Sequence, residues 1–119
     1  MATVTPTISN AIAEVPRIVW SGMVTGDTIN PWKITAQYGL AAAVQISGTF
    51  GGASVKLQAS NDGTNYFDIE DVTGTAVSTG SGGLYEISTA AIYLRPVVTG
   101  GAANSINVII ALRGSSSND

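Results

Sequence analysis

The chain has 119 residues, within the usual range of a single domain, and can bury roughly two thirds of its unfolded surface without a disulfide or metal. It contains neither cysteine nor histidine, which removes disulfide staples, the commonest general base, the commonest metal ligand and the usual pH switch. Charged residues make up 11% of it, against about 25% in an average soluble domain, and the net charge is −3. The cations Arg17, Lys33, Lys56, Arg95 and Arg113 are scattered, so the concentrated basic patch that nucleic acid requires is missing.

Residues 1–14 mix Thr, Ser, Asn and Ala around Pro6 without a sustained period and read as an extended N-terminal arm. Nothing there resembles an export signal, and no segment approaches the ~18 continuous apolar residues of a membrane span. Synthesis in a cytoplasm is therefore expected. The apolar residues of the arm suit it to docking on a partner, with contacts that exceed about 1–2 kcal/mol of backbone entropy per ordered residue.

From residue 15 onward the period is two. Residues 15–23 read as a strand carrying Ile18 and Trp20, and Gly26-Asp27 marks a turn. Pro31-Trp32 interrupts the next segment, a short strand is expected over 34–38, and Gly39 ends it. Ala41-Ala42-Ala43 has the composition of one helical turn, but the residues after it demand β pairing. In 44–50, Val44, Ile46 and Phe50 face one way and Gln45, Ser47 and Thr49 the other. Gly51-Gly52 breaks the run, and Val55, Leu57 and Ala59 then alternate with Lys56, Gln58 and Ser60. The two runs read as neighbouring antiparallel strands.

Asn61-Asp62-Gly63 is a strong hairpin turn, after which the chain returns through Tyr66-Phe67-Asp68-Ile69. Residues 73–75 and 79–83 read as loops and 84–87 as a strand. The strand beginning Ile92-Tyr93-Leu94-Arg95 meets Pro96, which implies an edge or a bulge. Ile106, Val108, Ile110 and Leu112 alternate with Asn107, Ile109, Ala111 and Arg113; this last strand is apolar on nearly both faces and belongs in the middle of a sheet. Residues 114–119 form a flexible tail. The fold expected is an all-β, antiparallel, jelly-roll-like sandwich of about seven or eight strands over 15–113. Its core would hold Val44, Ile46, Val55, Leu57, Ile69, Ile87, Leu94, Val108 and Ile110.

Catalysis has little to draw on. No histidine can activate the abundant serines, and Lys33 and Lys56 have the polar flanks of solvated cations. Asp62, Asp68, Glu70 and Asp71 form the one charge cluster. Carboxylates can serve glycoside hydrolysis or bind calcium, but Gln58 stands where a calcium loop needs its first carboxylate. The glycine-rich pieces 80–83 and 100–101 neither open a helix nor carry the P-loop lysine. No catalytic, cofactor-binding or metal-binding residue is assigned. Trp20, Trp32, Tyr66, Phe67, Tyr85 and Tyr93 either stack on a sugar or fill the core and its margins. The candidate partner-contact residues are Val4, Ile8 and Ile12 of the arm, with Trp32 and Tyr85.

Residues 44–57 (VQISGTFGGASVKL) leading into 60–66 (SNDGTNY), with 91–101 (AIYLRPVVTGG), resemble the capsid decoration, or cement, proteins of tailed bacteriophages. The 60–66 turn with Tyr93-Leu94-Arg95 is also similar to discoidin-like carbohydrate-binding sandwiches. The first resemblance implies a non-enzymatic virion protein, made in the host cytoplasm, that binds the outside of the capsid and bridges subunits of the major capsid protein. It also implies a homo-oligomer, a trimer at threefold positions, although a dimer fits the same composition. The alternatives are a carbohydrate-binding module and a tail or fibre component.

Overall fold

The structure, a computed structural model, describes residues 3–9, 17–33, 40–89 and 91–113. Among the described residues the strands are β1 (Thr3–Val4), β2 (Thr7–Ser9), β3 (Arg17–Met23), β4 (Thr28–Ile29), β5 (Trp32–Lys33), β6 (Leu40–Thr49), β7 (Ser54–Ser60), β8 (Phe67–Asp68), β9 (Ser78–Thr79), β10 (Gly83–Thr89), β11 (Tyr93–Thr99) and β12 (Ser105–Arg113). The first sheet has the order β10-β6-β12-β3-β2 and the second β5-β11-β7-β8, with β9 on the same edge of β7 as β8. All the pairings within these two sheets are antiparallel. The runs β3-β12-β6-β10 and β5-β11-β7-β8 are the strand orders of a jelly roll, in which the chain repeatedly crosses from one sheet to the other.

The alternation read from the sequence builds the interior. Ile18, Trp20, Met23, Val44, Ile46, Ile87, Ile106, Val108 and Ile110 point inward from the first sheet. Trp32, Val55, Leu57, Ala59, Leu94 and Val98 meet them from the second. Each large side chain so enclosed contributes about 1.5–3 kcal/mol relative to exposure. Of the expected core only Ile69 is less than fully enclosed; it lies between strands, half-buried against the cluster. β12 occupies the centre of its sheet, as its two apolar faces require.

Several expectations are corrected. Residues 44–50 and 55–59 are not neighbours: β6 pairs with β10 and β12, whereas β7 pairs with β11, β8 and β9. Gly51-Gly52 carries the chain across the sandwich, since both glycines adopt positive φ (56° and 87°) and steer it away from a hairpin. The three alanines belong to β6, because ladders on both sides satisfy their backbone better than one isolated helical turn. Within the segment read as an extended arm, residues 3–9 lie on the domain itself. β1 pairs in parallel with β4, and β2 extends the first sheet beside β3. Of the loop read over 79–83, residues 79 and 83 are strand. β11 runs unbroken through Pro96: β5 pairs only with Tyr93 and Leu94, so the proline stands beyond β5 where that side of the strand has no ladder. The expected strand over 34–38, the arm beyond residue 9 and the tail 114–119 lie outside the described residues.

A bulge interrupts the pairing of β3 with β12. The β3–β12 register shifts between Ile106 and Val108, and Asn107 Oδ1 accepts the Gly22 N–H at 3.0 Å inside this bulge. No helix among the described residues is long and apolar enough to cross a membrane.

Candidate functional site

Alternation that turns Val55, Leu57 and Ala59 inward sends Lys56 and Gln58 to the outer face of the second sheet. On β11 the same rule sends Tyr93, Arg95 and Val97 outward. Register then brings these side chains together, because Gln58 lies opposite both Arg95 and Asp68. Arg95 Nε and Nη2 donate to Gln58 Oε1 at 3.3 and 3.2 Å, and Gln58 Nε2 donates to Asp68 Oδ1 at 2.9 Å. Lys56 Nζ lies 3.4 Å from Asp68 Oδ1. The Arg95 guanidinium sits 3.8 Å from the centroid of the Tyr66 ring, a cation–π contact worth about 1 kcal/mol at a partly exposed site.

These contacts form one continuous polar and aromatic strip, Tyr66–Arg95–Gln58–Asp68–Lys56. The hydrogen bond from Gln58, and then Lys56, lowers the pKa of Asp68, so the strip keeps its charges. The ion pair itself is exposed to solvent and adds little stability. Burial raises the pKa of Tyr66, whose hydroxyl is enclosed without a hydrogen-bond partner.

At the end of this sheet the turn after β7 forms one wall of a shallow pocket. The pocket measures about 300 Å³ and is lined by Ala59, Ser60, Asn61, Asp62, Asn65, Phe67 and Ala91. Its loop is held by Asp62, whose Oδ1 accepts the N–H groups of Thr64 and Asn65 at 2.8 Å each and the Ser60 hydroxyl at 2.9 Å. Asp62 Oδ2 accepts from Asn65 Nδ2 at 2.9 Å. Gly63, at φ 75°, lets the turn lie against the Tyr93 ring, and Asn61 Oδ1 accepts the Ile92 N–H at 3.2 Å. Phe67 stands 70% exposed at the rim, and Ile92 is 40% exposed. The site therefore combines an open aromatic ring with amides held on a braced loop.

The acidic cluster seen in the sequence comes apart in space. The Asp62 carboxylate is taken up by the turn, and Asp68 by Gln58 and Lys56. Asp71 accepts from Thr73 and Thr75. No group of three or more potential metal ligands occurs among the described residues.

The N–H groups of Asn65 and Thr64 hold the Asp62 carboxyl far below the ordinary carboxylate range, and Asp71 and Asp68 shift in the same direction. A carboxyl with a depressed folded pKa stabilises the fold above its unfolded value near ~4, and that stabilisation is lost as pH falls toward the folded value. Thermal stability is therefore expected to decline below pH ~4, and Asp62→Asn to decline less steeply over the same range. Melting curves between pH ~4 and ~2 check this; equal slopes would show that the turn is not proton-linked.

The five candidate contact residues are not gathered here. Trp32 is only 6% exposed and faces the interior of the second sheet, opposite Leu94. Val4 and Tyr85 are half-buried against the core, and the Tyr85 hydroxyl donates to the Ser78 carbonyl at 3.1 Å. Ile8 is 55% exposed on edge strand β2, and Ile12 lies outside the described residues. The exposed aromatic ring at this pocket is Phe67. Tyr66 lies against Arg95 on the outer face, so alternation turns Phe67 to the other side, opposite Ala59, where on the edge strand β8 it remains 70% exposed.

The class these observations define is an all-β jelly-roll sandwich with one polar and aromatic outer face. No protein-family model and no curated protein matches the sequence. Among solved structures the fold is similar to that of the SPBc2 prophage-derived protein YomS, at 11% identity and a TM-score of 0.56, covering 82% of this chain and 93% of that one. A cupin domain from Bordetella pertussis aligns at 13% identity and a TM-score of 0.46, over 95% and 96% of the two chains. A carbohydrate-binding module of lichenase 5A from Cellvibrio mixtus, in complex with cellotriose, aligns at 12% identity and a TM-score of 0.30, over 95% and 88%. The first of these likenesses establishes a shared sandwich fold.

Proposed function

We propose that this chain is a non-enzymatic structural protein of a tailed-phage virion that binds the outer surface of the capsid and stabilises the shell by bridging subunits of the major capsid protein. The observation that carries this reading is the Phe67 patch, an exposed aromatic ring beside the amides of a braced loop. An apolar anchor within a polar rim is the anatomy of a protein-binding surface. The resemblance of residues 44–57, 60–66 and 91–101 to decoration proteins supports the same reading, as does the fold shared with a prophage-derived protein. Individual contacts of this kind are modest, and their repetition over a symmetric shell supplies avidity.

A second reading has its own observation. Phe67 flanked by Asn61 and Asn65 has the composition of a sugar-stacking site, which would make the chain a carbohydrate-binding module. One experiment separates the two: undecorated capsids and a glycan panel are each titrated with the wild type and with Phe67→Ser. Saturable binding that raises the capsid melting temperature, weakened about 30-fold by the substitution, is expected for an anchor worth about 2 kcal/mol. Glycan binding without capsid binding would replace the first reading with the second.

A further inference from the structure

We infer that the outer face of the first sheet mates with a second copy of this chain about a twofold axis that runs along the strands between β6 and β12. Two register rows cross this face. In one, Glu86 lies opposite Ala43, Ala43 opposite Ala111, and Ala111 opposite Arg17. In the next, Leu84 lies opposite Gln45, Gln45 opposite Ile109, and Ile109 opposite Val19. The centre of the face is thus Ala43 and Ala111 in one row and Gln45 and Ile109 in the next, and these two rows carry one acid on β10 and one base on β3.

Glu86 and Arg17 are three strand intervals apart, about 14 Å, too far to pair within one copy. Neither makes an ion pair among the described residues. A twofold axis in the interface along the strands exchanges β10 with β3 and β6 with β12. It places Glu86 against Arg17 of the partner subunit, and Arg17 against Glu86 of the partner subunit. The same rotation sets Ala43 against Ala111 of the partner subunit, which lets the two backbones approach closely. It also covers Leu84, 67% exposed in the single chain, with Val19 of the partner subunit.

The complementarity is of the isologous kind, in which one patch satisfies itself. The four exchanged strands, at ~4.8 Å spacing and about six residues in length, cover roughly 400 Å² per copy, so pairing buries about 800 Å², the size of a weak, reversible interface. The resulting dimer carries one Phe67 patch on the second sheet of each copy, a bivalent form of the capsid-binding reading. The pairing itself rests on the register of the first sheet and not on that reading.

Sedimentation velocity on the purified chain, from about 1 to 100 µM, tests it over the range in which an interface of this size is populated. The wild type is expected to reach dimer mass. Glu86→Arg should weaken association at least 10-fold by setting two cations together, and Glu86→Arg combined with Arg17→Glu should restore it. Recovery in the double variant also shows that the single substitution left the fold intact. A monomer throughout the range, trimer mass, or a dimer indifferent to Glu86→Arg would each overturn the inference. Loss of capsid binding with the dimer intact would count against the capsid reading alone.

Discussion

Replacing Trp20 with alanine is expected to lower the melting temperature by about 15 °C or more, corresponding to a loss of about 4 kcal/mol. The indole is fully buried on β3, opposite Val108, and is the largest side chain so enclosed. Its removal costs the transfer free energy of the ring and also leaves a cavity that two hydrogen-bonded sheets cannot close. A second loss accompanies it. Trp20 Nε1–H donates to the Asn30 carbonyl at 2.9 Å, which holds the segment between β4 and β5 against the sandwich. The total is a large fraction of the 5–15 kcal/mol that stabilises a typical domain. Thermal unfolding followed by far-ultraviolet circular dichroism measures the effect. A fall of less than about 5 °C would mean that the core is not organised around this ring.

Gly51→Ala is expected to destabilise the domain by about 3 kcal/mol or more, and Gly74→Ala by only about 1 kcal/mol. Both glycines have positive φ, 56° and 84°, so both substitutions carry the conformational cost of an L-residue in that region. Their surroundings differ. A Cβ on Gly51 would lie 1.9 Å from the Ala102 carbonyl oxygen, within the β11–β12 connection, whereas a Cβ on Gly74 would meet nothing within 4 Å. Gly51 also accepts the Ala102 N–H through its own carbonyl at 3.0 Å, so the two loops cannot separate without losing that bond. The clash therefore falls on backbone that has nowhere to move. Chemical denaturation of the two variants side by side isolates the close approach from the dihedral cost, and equal losses would refute it.

Much of the fold was legible because strand alternation is a local property. Burial of Val44, Ile46, Val55, Leu57, Ile87, Leu94, Val108 and Ile110 followed from a period of two, and the hairpin between β7 and β8 from Asn61-Asp62-Gly63. The polar face of the second sheet was implicit in the same pattern, since inward Val55 and Leu57 oblige Lys56 and Gln58 to face out. Which side chains meet on that face was not legible. The chain Tyr66–Arg95–Gln58–Asp68–Lys56 joins β7, β8 and β11, whose pairing depends on register between segments up to 37 residues apart.

The sequence by itself determined the fold class, the inward residues of the long strands and the central place of β12, because each is decided by a residue and its near neighbours along one strand. Only the tertiary structure decided which strands pair. Alternation says that Val44 and Val55 both face a core, but it is silent on whether their strands are hydrogen-bonded to each other or stacked across the interior. The conformation of Gly51-Gly52 and the competing ladders of β10, β11 and β12 settle that question. It likewise took the fold to place Trp32 inside and Phe67 outside, because an aromatic ring satisfies alternation equally on either face. Its exposure is settled by what the opposite sheet and the covering loops leave uncovered.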